Sequence, residues 1–265
     1  MIGTIAGDIL GSIYESWMFQ ATITEENVNT FNLFNSACIF TDDSVLTCAT
    51  ADAILSGASY REKYIEWFNK YPNRGWGSGF GDWVKNAKNN SKTNNSYGNG
   101  AMMRVGPIGM AFDKIEEVLE QAKLSAQNSH DSPEAIKGAQ AIALATYLAK
   151  RKVEKNEIRK ELEARFHYDL SPDNKTIRDT FNHRTTHCDV TGPQAICVFL
   201  NSDSYEATIR NAIYTQGDCD TICAIAGGLA QQYYRMIPNE IFFFTRRKMA
   251  LEMFELAGKF HSKYD

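Results

Sequence analysis

Along most of the chain, apolar residues recur at steps of three and four, the spacing of one helix face, and no convincing series of alternating strand patterns interrupts them. Over 133–150, Ile136, Ala139, Ala143 and Tyr147 keep this spacing. Ser132-Pro133-Glu134 supplies an N-cap, an N1 proline and a first-turn acid for that helix. Over 238–258, Pro238 opens a second predicted helix carrying Ile241, Phe244, Met249, Leu251, Phe254 and Leu256. A helix at the start of the chain carries Ile5, Ile9, Leu10, Ile13 and Trp17, with Gly3, Gly7 and Gly11 four residues apart. Ala224, Ala226, Gly227, Gly228 and Ala230 make another segment of small residues. Glycine inside a helix costs about 1 kcal/mol relative to alanine, and the return expected here is close helix–helix approach around a central pair.

The prolines (Pro72, Pro107, Pro133, Pro172, Pro193 and Pro238) are expected mostly at element boundaries. Residues 87–99 form one strongly polar stretch that continues a helix poorly and leads into Gly100. It reads either as a functional loop or as a plain surface loop. No linker rich in Gly, Ser or Pro divides the chain. The expectation is an all-α protein with a single domain over 1–265.

Composition narrows the function classes. A net charge of −4 gives no electrostatic case for nucleic-acid binding, and the densest basic run, Arg246-Arg247-Lys248, reads as a solvated helix face. No apolar run approaches the ~20 residues of a membrane span. The start of the chain lacks a basic n-region, and Asp8 breaks its apolar stretch, so it does not read as a signal peptide. The six cysteines form no CxxC pair and read as reduced thiols. A cytoplasmic location is expected.

Two short clusters carry the candidate chemistry: Phe40-Thr41-Asp42-Asp43-Ser44 and Gly217-Asp218-Cys219-Asp220-Thr221. Alone, each is what a capped helix start looks like. Together they offer six hard oxygen donors at two helix starts with no His or Cys pairing, a pattern for a Mg²⁺-type site. Carboxylates converging in a core repel one another unless cations neutralise them. Asp8, Gly11, Ser12 and Glu15 share one face of the first helix, which makes Glu15 a candidate acid, base or metal ligand. Ser96-Tyr97-Gly98-Asn99-Gly100 and Gly75-Trp76-Gly77 would let backbone N–H groups approach phosphate, although no Walker lysine follows. His130 precedes a helix start, where a lone histidine is usually structural or solvated. His183 and His187 are four apart but lack a third ligand in register.

In order along the chain, these motifs resemble the ADP-ribosylglycohydrolase family. The resemblance runs through Gly7-Asp8-Ile9-Leu10-Gly11-Ser12-Ile13-Tyr14-Glu15, Phe40 to Ser44, Ser96 to Val105, Ser129-His130, and Gly217 to Thr221 with the helix running on to Tyr234. It implies an orthogonal all-α helix bundle with a central binuclear site for two Mg²⁺, with Mn²⁺ as the substitute. By the family pattern, Thr41, Asp42, Asp43, Asp218, Asp220 and Thr221 are metal ligands. Glu15 is a mobile glutamate beside the metals; Glu15, Asp43 and Asp220 are the candidates for proton handling. Ser96, Tyr97, Gly98, Asn99 and Gly100 match a pyrophosphate loop, with Tyr97 near the adenine, and His130 matches a ligand-contacting histidine.

The implied activity is hydrolysis of the glycosidic bond between ADP-ribose and an acceptor. That acceptor is a protein side chain such as arginine or serine, or the partner half of a small ADP-ribose conjugate. Gln216 and Cys219 depart from the family's usual glycine and hydroxyl residue and are expected to reshape the pocket or lower activity; Cys219 also raises the prospect of oxidation sensitivity. Two other readings stand beside this one. The first is a weak or inactive ADP-ribose-binding or structural member of the same fold. The second is a Mg²⁺-dependent isoprenoid synthase, disfavoured because Asp42-Asp43 runs into Ser-Val-Leu rather than a DDxxD pattern.

Overall fold

The structure is a computed structural model that describes residues 1–86, 95–180 and 185–265. The described residues form fifteen α-helices and no strand, as the periodicity predicts. These are α1 (Ile2–Gly11), α2 (Trp17–Gln20), α3 (Asp42–Ser56), α4 (Tyr60–Lys70), α5 (Ser78–Asn86), α6 (Gly106–Ala111), α7 (Ile115–Gln127), α8 (Pro133–Lys150), α9 (Lys155–Phe166), α10 (Asn174–Thr180), α11 (Cys188–Leu200), α12 (Tyr205–Thr215), α13 (Cys219–Tyr234), α14 (Asn239–Lys248) and α15 (Leu251–Tyr264). Most of the polar stretch 87–99, its residues 87–94, and His183 lie outside the described residues. Among those described, no helix is long and apolar enough to cross a membrane. All six cysteines are free and buried.

Local chemistry sets the helix ends. Ser132 Oγ accepts the Ala135 N–H at 3.1 Å and Pro133 fills the first turn, so α8 covers the predicted span. Ser59 and Glu62 close a capping box on α4. Thr41 caps α3 by accepting the Asp43 N–H, and Gly57 ends that helix at φ +70°.

The centre of the fold is the pair α1 and α13, and α13 also packs against α3, α6, α8, α11 and α12. The glycine spacing explains the pair. A Cβ built on Gly7 would lie 1.9 Å from the carbonyl oxygen of Cys223; on Gly11, 2.6 Å from that of Cys219; on Gly3, 2.6 Å from that of Gly227. Backbone therefore lies against backbone along the whole contact. The cost of three helical glycines is recovered as burial on both helices, where Ile5, Ile9, Ile222 and Leu229 are fully buried.

Three expectations are revised. The single helix predicted over 238–258 is two, α14 and α15, parted by extended backbone at Met249 and Ala250. The apolar pattern slips register there. Breaking the helix lets Ile241 and Phe244 face the core from α14, and Met253, Ala257 and Phe260 face it from α15, while Leu251 stands exposed. Pro193 lies inside α11 rather than at a boundary. The first helix does not run on to Glu15: it ends at Gly11, and Ser12–Glu15 tightens into a 3-10 turn.

Candidate metal centre and substrate cleft

Three helix ends meet at one point. α1 brings Asp8, with Glu15 at the end of the 3-10 turn that follows; the N-terminus of α3 brings Thr41, Asp42 and Asp43; the N-terminus of α13 brings Asp218, Asp220 and Thr221. The two helix starts are tied directly. The Thr221 hydroxyl donates to Asp43 Oδ2 at 3.3 Å, and the Thr41 hydroxyl lies 3.4 Å from the same oxygen. Asp8 is enclosed by α3: it accepts the Thr41 N–H at 2.9 Å, the Thr41 hydroxyl at 2.7 Å, the Ser44 N–H at 3.2 Å and the Ser44 hydroxyl. Glu15 accepts the Cys219 N–H at 2.8 Å, which draws it onto the start of α13.

Carboxylate oxygens of Asp8, Asp43 and Asp220 lie within 4.8 Å of one another, and so do those of Glu15, Asp218 and Asp220. The two trios share Asp220. In the sequence Asp8 is only one polar position of a helix stripe, with nothing to mark it as a ligand. The change of helix type at Ser12 sends Asp8 and Glu15 to different trios, although both remain on the site.

Crowding shows in the acidity of these groups. Burial raises Asp8 to about 6 against the hydrogen bonds from Ser44 and Thr41 that lower it. Burial and then the Asp218 charge raise Glu15 to about 7. Burial and then Asp8 raise Asp42 to about 8. Asp43 and Asp220 are pushed well above the carboxylate range, first by burial and next by neighbouring acids. Asp43 Oδ1 is buried without a hydrogen-bond partner. An unpartnered buried oxygen among repelling carboxylates, with only hard oxygen donors nearby, fits a divalent cation of the Mg²⁺ or Mn²⁺ kind.

Beside the carboxylates runs a cleft of about 360 Å³. Glu15, Asp42, Asp43, Asp218, Asp220 and Thr221 line its acidic end; Ser96, Gly98, Asn99, Gly100 and His130 line another side. Asn99 joins the two by donating its side-chain N–H groups to Asp218 and to Thr191 Oγ1 (3.3 Å). Tyr97 is half exposed and faces a second concavity of about 450 Å³, packed on the His187 ring at 4.3 Å between centroids. A further wall combines Gly75 and Gly77, from the Gly75-Trp76-Gly77 stretch expected near a phosphate, with Ser78, Gly79 and Phe80, which no sequence motif marks. Asp42 is fixed to it, its N–H donating to the Arg74 carbonyl at 2.7 Å, and Gly75 sits at φ +84° where a Cβ would reach Asp42 Oδ1 at 3.4 Å.

A model of the family ADP-ribosylglycohydrolase matches residues 1–257. The chain belongs to the ADP-ribosylglycohydrolase family. It is a glycohydrolase, and the isoprenoid-synthase reading falls away. The chain is 25% identical to the ADP-ribosylhydrolase ARH3 of Mus musculus, covering 89% of this chain and 83% of that protein. It is 25% identical to the ARH3 of Homo sapiens, covering 89% and 84%. In fold it resembles a chain of a solved ADP-ribosylglycohydrolase-related protein complex, with a TM-score of 0.71 and 22% identity over 99% of this chain and 95% of that one. Against the family pattern, Gln216 takes φ +63° and ψ −172° just ahead of Asp218, a region that glycine occupies freely. Cys219 is fully buried, which removes the basis for expecting it to be readily oxidised.

Proposed function

We propose that this chain hydrolyses the glycosidic bond between ADP-ribose and an acceptor, using two divalent cations, Mg²⁺ or Mn²⁺, held by Asp8, Thr41, Asp42, Asp43, Asp218, Asp220 and Thr221. The observation that carries the reading is the pair of carboxylate trios sharing Asp220 at one end of a cleft whose other side is the Ser96–Gly100 loop with His130. Held there, divalent cations would supply Lewis acidity to sugar hydroxyls and to a water.

The protein's own groups do the rest. The Ser96–Gly100 loop and the His130 ring take the diphosphate, and the cleft places the distal ribose over the acids. Glycosidic cleavage passes through an oxocarbenium-like state, which the carboxylates of Asp43 and Asp220 stabilise electrostatically. Glu15, held by the Cys219 N–H at the acidic end of the cleft, is placed to exchange a proton with the attacking water or the leaving group. The same arrangement favours activity over a purely structural role, because a fold kept for structure alone has no use for an uncompensated buried carboxylate cluster.

The test is release of ADP-ribose from arginine-linked peptide, serine-linked peptide and O-acetyl-ADP-ribose, each with Mg²⁺ and with chelator. Release from at least one, lost on chelation, is expected. No release from any, with no binding of ADP-ribose in Mg²⁺, would return the chain to the non-catalytic reading.

A further inference from the structure

His130 is almost fully buried in the cleft wall and is followed inward by two residues the activity has not yet used, Ser129 and Arg104. Arg104 is fully buried, with its guanidinium over the Tyr64 ring at 4.2 Å. Its Nη2 donates to the Ser125 carbonyl at 2.9 Å and to Ser129 Oγ at 2.9 Å. Ser129 Oγ lies 2.8 Å from His130 Nδ1.

An arginine only donates, so Ser129 Oγ accepts from it. Ser129 is fully buried, and among the described residues its hydroxyl proton has no acceptor other than His130 Nδ1. If Nδ1 carried the proton instead, the hydroxyl hydrogen would be buried unpaired, which is costly. Ser129 therefore donates to Nδ1, and the ring proton sits on Nε2. On that side the ring faces Gly98 and Gly100: a Cβ at Gly100 would lie 3.1 Å from Nε2 and one at Gly98 3.6 Å, so glycine keeps the space before the N–H open. Burial, and after it the Arg104 charge, hold the imidazole down at about 3, which keeps it neutral.

We infer that Arg104 and Ser129 are positioning residues that lock His130 as the Nε2–H tautomer, a fixed neutral donor to an anionic oxygen of the ligand at the Ser96–Gly100 loop. The ligand half of this inference rests on the function proposed above; the tautomer half does not. A histidine locked in this way offers an N–H to phosphate at every physiological pH, with no ring reorientation on binding.

The test uses the full chain labelled with ¹⁵N-histidine, the His130 signals being assigned with His130→Asn. In the unaltered protein Nδ1 is expected at the unprotonated position and Nε2 at the protonated one, unchanged between about pH 5 and 8. Ser129→Ala should move both signals toward a tautomer average and weaken ADP-ribose binding in Mg²⁺ about tenfold. Ser129→Thr, which keeps the hydroxyl, should restore both. Ser129→Ala should add nothing to the binding loss of His130→Ala. A protonated Nδ1 in the unaltered protein, or a Ser129→Ala protein with unchanged spectrum and affinity, overturns the inference. The locked tautomer in a protein that binds no ADP-ribose supports the lock and overturns the proposed function.

Discussion

The contact between α1 and α13 makes a quantitative prediction at Gly7. A Cβ there would stand 1.9 Å from the Cys223 carbonyl oxygen, where ordinary contact begins at 3.4 Å. The clashing atoms are helix backbone on both sides, so no rotamer change relieves them, and Gly7→Ala must part the helices by about 1.5 Å locally. Overpacking a tight core costs about 1–3 kcal/mol, and more where neighbours cannot move. Alanine returns about 1 kcal/mol of helix propensity. Taking the upper end of the cost, the net expectation is a loss of about 2 kcal/mol, or roughly 4–8 °C in Tm for a chain of this size.

The same displacement acts on function, because Asp8 follows Gly7 and Asp220 lies on the facing helix. A shift of about 1 Å at a catalytic constellation commonly costs on the order of 100-fold in rate. The assay is thermal unfolding together with Mg²⁺-dependent release of ADP-ribose. Gly258→Ala is the control: its Cβ meets nothing within 4 Å on α15, and it should hold stability or raise it by up to about 1 kcal/mol, about 2–4 °C in Tm. A Gly7→Ala protein with a Tm within about 2 °C of the parent and full hydrolysis would refute the backbone-contact argument.

Three further predictions concern the carboxylates and the turn before Asp218. In chelator, Asp8, Glu15 and Asp42 are raised to about 6, 7 and 8, above their unfolded values. The folded state thus holds extra protons, and stability present below about pH 4 is lost as pH rises through about 4–8. Tm should fall over that window in chelator and fall less in Mg²⁺; a chelated protein as stable at pH 8 as at pH 5 contradicts it. Asp43→Asn removes one charge from the cluster, so at pH 8 it should raise Tm in chelator while abolishing the Mg²⁺-dependent gain and at least about 100-fold of activity; an unchanged Mg²⁺ gain rules Asp43 out as a ligand. Gln216→Gly relieves a backbone conformation that costs a non-glycine residue about 1–3 kcal/mol, less the weak 3.4 Å hydrogen bond from its side chain to the Gln20 carbonyl. It should raise Tm by about 2–6 °C, and a lower Tm would show that the side chain matters more than the strain.

What could be read from the sequence is what is local or periodic. Gly3, Gly7 and Gly11 announced the central helix pair, Ser132-Pro133 located the start of α8, and the two acidic helix starts marked the site. What could not be read depends on atoms that meet across the chain. The break between α14 and α15 has no proline or glycine to mark it; it follows from which face each half buries. Asp8 is one acid on a stripe until α3 surrounds it. Arg104 and Ser129 act on His130 only because the turn after Asn99 packs on the end of α7, a contact no spacing rule anticipates.

The glycines and the acids are two parts of one device. Carboxylates as close as those of Asp8, Asp43 and Asp220 require helix axes closer than side chains normally allow, because every Cβ between α1 and α13 would add distance. Gly7 and Gly11 bracket Asp8 on one helix and remove that spacing, which lets Asp220 approach from the other. Close packing is unfavourable for the acids themselves, since burial raises Asp8, Asp43 and Asp220, and repulsion from neighbouring acids adds to it at Asp43 and Asp220. The packing energy of the α1–α13 contact therefore holds the carboxylates in a crowded arrangement that a bound cation would relieve. This predicts that a substitution loosening the pair, such as Gly11→Ala, weakens cation binding even though it lessens the repulsion among the acids.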